Sequence, residues 1–126
     1  MGNRQTLLQD YWLAGWLLGV IAITAASIVP SFNPPGPFDK ELHFITYFVL
    51  ALIPIARLSN RKTAFMLSGF MPVLGFVLEY LQRNISGREF SPEDMIANNL
   101  GAIAGIVVGM LLRLSRRLKN IAGRSS

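Results

Sequence analysis

The sequence predicts an all-α integral membrane protein, with one domain over residues 1–126 folded as an antiparallel bundle of four membrane-spanning helices. Composition is the first reason: 52% of the residues are hydrophobic and 15% are charged, against about 25% charged in soluble domains. Four consecutive long apolar runs are the second reason, and the absence of strand-like alternation is the third. A soluble helical core is the alternative, which four such runs in succession argue against.

Each apolar run is long enough to cross a bilayer, since about 20 residues at 1.5 Å per residue span a hydrocarbon core about 30 Å thick. Tyr11, Trp12 and Trp16 crowd the start of the first run, where amphipathic rings lie at a membrane interface. Pro54 and Pro72 interrupt the second and third runs and predict kinks. The expected spans are about 11–30, 39–57, 63–82 and 93–113.

Lysine and arginine predict the orientation, because they concentrate in cytoplasmic loops. Nine of the twelve lie in the N-terminal segment, the turn at 57–62 and the tail after residue 112. We therefore expect a multi-pass protein in the cytoplasmic (inner) membrane of a bacterium, with both termini cytoplasmic. Because the basic residues lie outside the apolar runs, a nucleic-acid partner is not expected.

The second run opens with a group of ionisable residues, DKELH. Asp39, His43 and Tyr47 are four apart, so they share one stripe of a helix and step inward from its outer end. Structural roles would also explain them: Asp39 as the helix N-cap, His43 as its hydrogen-bond partner and Tyr47 as an interfacial ring. Ionisable groups inside a membrane span are nevertheless candidates for function.

The third run carries one charge, Glu79, followed by Gln82 and Arg83 on the same face. Glutamate four residues before arginine is the favourable order for an ion pair, and that pair is the structural explanation. Glu79 also lies within the apolar segment VLGFVLEYL, so its carboxylate is expected to need a partner.

The fourth run begins with SPED, in which Ser91 is a credible N-cap, Pro92 fits the first helical position and Asp94 would complete a variant capping box. Asn98 lies one turn deeper on the same stripe as Asp94, and a buried amide needs a partner on another helix. Glycines then recur at four-residue steps, which indicates close approach of another helix. Those glycines are Gly101, Gly105 and Gly109.

All these polar residues fall at the outer ends of the second, third and fourth helices. Antiparallel packing would bring those ends together into one pocket that opens outward. The predicted ligand-binding residues are Asp39, Lys40, His43, Tyr47, Glu79, Gln82, Arg88, Asp94 and Asn98.

Three segments, DKELHFITYF, EYLQ and GREFSPEDMIANNLGAIAG, together resemble the VanZ-like membrane protein family, named after a teicoplanin-resistance protein. The family pattern falls on Asp39, Lys40, His43, Phe44, Tyr47, Glu79, Gln82, Gly87, Arg88, Asp94, Asn98, Gly101 and Gly105. The three blocks are specific in combination and cover the second to fourth helices, whereas the first helix and the tail carry no signature. The resemblance implies a small membrane protein, linked in one member to lower glycopeptide susceptibility, and implies no settled chemistry.

Binding at the outer face is the first functional hypothesis. The ligand would be an envelope lipid headgroup, a cell-wall precursor or another envelope protein, and Lys40 and Arg88 would hold its phosphate or carboxylate. The bilayer itself is a further partner, and a homo-oligomer stays open.

A membrane-embedded enzyme acting on a lipid-linked or phosphate-bearing substrate is the alternative, with Glu79 and His43 as the candidate acid–base pair. No nucleophile motif or phosphate loop supports it. A transporter is disfavoured because the polar cluster does not continue through the spans towards the cytoplasmic side, so no polar path crosses the bilayer. Asp39, His43 and Asp94 could together hold a metal, but one histidine and no cysteine argue against zinc, so neither metal nor cofactor is expected.

Overall fold

The computed structural model describes residues 2–29, 37–85 and 89–125. These residues form four helices and no strand, which confirms the all-α prediction. The helices are α1 (Gly2–Ile28), α2 (Asp39–Arg57), α3 (Arg61–Gln82) and α4 (Pro92–Arg124).

Three of the helices, α1, α3 and α4, are long and apolar enough to cross a membrane. The shorter α2 does not reach that composition, because three charges crowd its first turn and Arg57 lies in its last. At 33 residues, α4 is about 50 Å long by the helical rise. It therefore extends well beyond residue 113, where the sequence predicted the fourth span to end.

The fold places apolar side chains outside and several polar ones inside. Large hydrophobic residues are exposed on all four helices, including Leu18, Ile45 and Phe76. The buried polar side chains of the described residues are Ser68, Glu79, Gln82 and Asn98. Since soluble monomers rarely expose extended apolar surface, this distribution suits helices surrounded by lipid.

The glycines of α4 allow it to lie directly against α2. A Cβ atom on Gly101 would collide with the carbonyl oxygen of Phe44, and one on Gly105 with that of Phe48. Farther along, Gly109 lies against the side chain of Ile55. Because these contacts advance together along both helices, α2 and α4 run side by side in the same direction, and their N-terminal ends are neighbours. The predicted close approach is confirmed, and its partner is α2.

A proline explains one of the hydrogen bonds between helices. Pro54 lies inside α2 and has no N–H, so the carbonyl of Leu50, four residues earlier, lacks its usual helical donor. The indole Nε1–H of Trp16 donates to that carbonyl at 2.7 Å. A tryptophan on α1 thus satisfies a backbone group that a proline on α2 left open.

Replacing Trp16 by phenylalanine should lower the free energy of unfolding by about 1–3 kcal/mol, the cost of an unsatisfied buried acceptor. Pro54→Ala supplies an N–H at the next turn, so the same Trp16→Phe change should cost less in that background. Unfolding of the wild-type chain, the two single variants and the double variant in detergent gives the coupling energy. Additive effects would show that the indole is not replacing the missing N–H.

Two arginines of α4 bind the end of α2. Arg113 donates to the carbonyl of Ser59 at 2.7 Å, and Arg116 donates to the carbonyl of Ala56 at 2.7 Å. The last carbonyls of a helix lack intrahelical donors and carry partial negative charge, so cations stabilise them. Arg113 and Arg116 therefore connect the end of α2 and the turn after it to the interior of α4, which fixes the register of the two parallel helices.

Candidate functional site

Four polar side chains from the first turns of α2 and α4 meet, and we refer to Asp39, His43, Asp94 and Asn98 as the His43 cluster. His43 Nδ1 lies 2.9 Å from Asn98 Oδ1, and His43 Nε2 lies 3.7 Å from Asp39 Oδ1. One potential ligand atom each from Asp39, His43 and Asp94 lies within 4.8 Å of the others. The structure therefore brings together four of the nine residues predicted to form a pocket.

The imidazole of His43 has a defined orientation. An amide oxygen only accepts hydrogen bonds, so a hydrogen bond between His43 Nδ1 and Asn98 Oδ1 requires the tautomer with the proton on Nδ1. The neutral ring then has its lone pair on Nε2, the atom that faces Asp39. Because Asn98 is only 2% exposed, it holds the ring from the buried side while the ring's other nitrogen faces the partly exposed carboxylate of Asp39.

Asp39 does not cap α2, so that prediction is wrong. The N-cap is Phe38, which makes no side-chain capping hydrogen bond, and Asp39 is the first residue of the helix. Its carboxylate is within ion-pair distance of His43 on the next turn.

The capping box predicted at the start of α4 is half right. The hydroxyl of Ser91 accepts the backbone N–H of Asp94 at 3.2 Å, as an N-cap should. In a complete box the side chain of Asp94 would accept the N–H of Ser91. Here Glu79 on α3 accepts that N–H at 2.7 Å, so the carboxylate of Asp94 takes no part in the cap and lies with His43.

Glu79, on α3, is connected to the His43 cluster through packed side chains. It is 2% exposed. The ring of Tyr47 and the Cβ of Asn98 both pack against Gly75, one turn before Glu79, and Tyr47 is close enough to Glu79 to interact electrostatically.

Gln82 points away from the His43 cluster. Its Nε2 donates to the carbonyl of Ser27 at 3.1 Å, and the side chain is buried. The amide therefore connects α3 to the end of α1. A ligand-binding role for Gln82 stays a prediction that this contact does not support.

Lys40 lies on the surface beside the cluster. It lines an open groove of about 300 Å³ together with Glu41, Phe44 and Ile45, and it interacts electrostatically with the exposed Glu93 at the start of α4. The remaining predicted cation, Arg88, falls outside the described residues.

Two features of this region were not predicted from the sequence. One is the bond from Ser91 to Glu79, for which helix spacing offers no signal because the two residues lie on different elements. The other is Gly75, which leaves room for Tyr47 and Asn98. Its position four residues before Glu79, on the same stripe of α3, could have indicated close packing at this point.

The geometry offers an imidazole lone pair and two carboxylates for a cation or proton, and a lysine for an anion.

A model of the VanZ/LLP1 family matches residues 5–113 of the chain. No curated protein and no solved structure matches.

Proposed function

Given that the chain belongs to the VanZ/LLP1 family, we propose that it binds the headgroup of an envelope lipid or lipid-linked cell-wall precursor at the outer face of a bacterial inner membrane. The proposal takes α1 to α4 as a multi-pass antiparallel bundle with both termini in the cytoplasm. The parallel course of α2 and α4 supports it, as does the excess of basic residues at the opposite helix ends.

The groove beside Lys40 is the observation that carries the proposal. Lys40 and Glu41 are its polar lining residues, and Phe44 and Ile45 supply the apolar lining. A phospholipid has the same arrangement, with a phosphate above acyl chains, and lysine binds phosphate as a point charge. The partly exposed members of the His43 cluster on the neighbouring turns of α2 and α4, namely Asp39, His43 and Asp94, would contact the rest of the headgroup.

Lys40→Gln should weaken binding of a phosphate-bearing lipid by about fivefold, because one lysine near an anionic headgroup contributes about 1 kcal/mol. Native mass spectrometry of the full chain, titrated with phosphatidylglycerol in mild detergent, measures the bound fraction. Lys62→Gln is the matched control, since it removes the same charge at the other end of the helices. Equal losses in both variants would show only general attraction to anionic lipid.

Glycopeptide susceptibility is the cellular effect we propose for this binding. Expression of the chain in a susceptible bacterium should raise the minimum inhibitory concentration of teicoplanin, and the Lys40→Gln variant should raise it less. No change with the wild-type chain would remove this part of the proposal and leave lipid binding untouched.

A membrane-embedded enzyme is the second candidate, and the oriented imidazole of His43 favours it. With its proton held on Nδ1 by Asn98, Nε2 can take a proton from a substrate or water, and Asp39 would stabilise the resulting imidazolium. Glu79 would serve as the other half of the acid–base pair. Turnover of a bound lipid that His43→Gln abolishes without reducing binding would favour the enzyme.

A further inference from the structure

We propose that Asp39, His43 and Asp94 bind a divalent first-row transition-metal ion through two carboxylates and one imidazole. The sequence alone argued against a metal because it offers one histidine and no cysteine. The structure shows that one nitrogen and two oxygens converge from two helices, which a count of residue types cannot show.

The separations of the three ligand atoms suit an ion after small side-chain rotations. They lie within 4.8 Å of one another, whereas metal bonds of about 2.0–2.2 Å place neighbouring ligands about 3–3.5 Å apart. All three side chains are partly exposed, so each has room to rotate by the difference. Three protein ligands leave further coordination positions for water or for an oxygen of a bound molecule.

Asn98 acts as the outer partner that a metal-binding histidine requires. Metal-ligating histidines donate their second ring N–H to a carboxylate, carbonyl or water, which fixes the tautomer and the ring orientation. The 2.9 Å contact from His43 Nδ1 to Asn98 Oδ1 has this form and leaves Nε2 to the ion. The site is thus more than two neighbouring acids, because a buried amide aims a nitrogen ligand at them.

Neither carboxylate caps the start of its helix through a side-chain hydrogen bond. Asp39 is not an N-cap, and Glu79 takes the hydrogen bond that a capping box would assign to Asp94. Within the described part of the chain, the Asp94 carboxylate makes no hydrogen bond or ion pair. Two carboxylates at this distance repel each other, and a divalent cation between them removes that repulsion.

The mixture of ligands indicates the class of metal. Imidazole nitrogen suits transition ions, whereas Mg²⁺ and Ca²⁺ prefer all-oxygen sites. One nitrogen with two carboxylate oxygens therefore points to Mn²⁺, Fe²⁺ or Zn²⁺. If the proposed function holds, on which this last step rests, the ion would supply the positive charge that receives a headgroup phosphate.

Titration with Mn²⁺, followed by electron paramagnetic resonance of the free ion, tests the site. The full chain is purified in detergent without added lipid and stripped with EDTA. We expect saturable binding, weakened at least tenfold in Asp94→Asn and His43→Ala, and about tenfold to a hundredfold in Asn98→Ala. Asp94→Asn should fold normally, because the α4 cap uses the backbone N–H of Asp94 and not its carboxylate.

Glu41→Gln is the matched control, since it removes one exposed negative charge from the same turn of α2 and should leave Mn²⁺ binding unchanged. Absence of saturable binding in the wild-type chain, or an equal loss in Glu41→Gln, would overturn the metal site. Phosphatidylglycerol binding with and without EDTA separates the two proposals. Lipid binding by a chain that holds no metal would sustain the proposed function alone, whereas metal binding without lipid binding would sustain only the metal site.

Discussion

Gly105→Ala should lower the free energy of unfolding by about 3 kcal/mol, near the upper end of the range for overpacking a core. A Cβ on Gly105 would collide with the carbonyl oxygen of Phe48. A backbone oxygen inside α2 cannot turn aside as a flexible side chain can, so the two helices would have to separate. Denaturant unfolding in detergent measures the loss.

Gly69→Ala is the matched control on a neighbouring helix. No atom lies within 4 Å of the Cβ that it would add, so alanine should be neutral or stabilise by up to about 1 kcal/mol through helix propensity. Gly109→Ala should fall between the two, because its nearest neighbour is the side chain of Ile55. If Gly105→Ala unfolds like Gly69→Ala, the close approach of α2 and α4 is wrong.

The glycines of α4 show which part of the helix packing the sequence could predict. The four-residue spacing of Gly101, Gly105 and Gly109 predicts a smooth helix face, and the structure confirms one. Spacing within one helix says nothing about which helix lies against it, because any backbone can approach such a face. Only the fold identifies α2 as the partner.

The candidate site was likewise predicted only in part from the sequence. Asp39, His43, Asp94 and Asn98 lie together because two parallel helices packed side by side bring their first turns to the same level. Gln82 was assigned to the face of Glu79, yet a residue three positions on is turned about 60° away from it. That rotation is enough to direct Gln82 to Ser27 on α1.

The capping-box prediction was only half right, because a residue of another helix, Glu79, accepts the second hydrogen bond of the box. The spacing from Ser91 to Asp94 correctly predicts the N-cap. It cannot predict that Glu79, and not Asp94, accepts the N–H of Ser91, since that depends on how α3 packs against α4. As a consequence, the Asp94 carboxylate lies in the His43 cluster and not in the cap.

Glu79→Ala should destabilise the protein by about 2–5 kcal/mol, through the cavity left by a buried side chain and the unpaired N–H of Ser91. Glu79→Gln keeps both the volume and an acceptor oxygen, so it should cost much less. Glu89→Ala, at an exposed acid of the α3–α4 connection, should change little. Denaturant unfolding gives the free energies, and amide exchange at Ser91 and in the first turn of α4 reports the local effect.

The pair of substitutions at Glu79 also separates a structural role from a catalytic one. If Glu79 only holds the start of α4, Glu79→Gln should retain stability, lipid binding and any effect on teicoplanin susceptibility, because the oxygen that accepts from Ser91 is still present. If Glu79 moves a proton, Glu79→Gln should retain stability and binding but lose turnover, since an amide cannot act as a base. Glu79→Gln as unstable as Glu79→Ala would contradict the bond to Ser91 as the main contribution, and would mean that the carboxylate charge itself holds this end of the helices together.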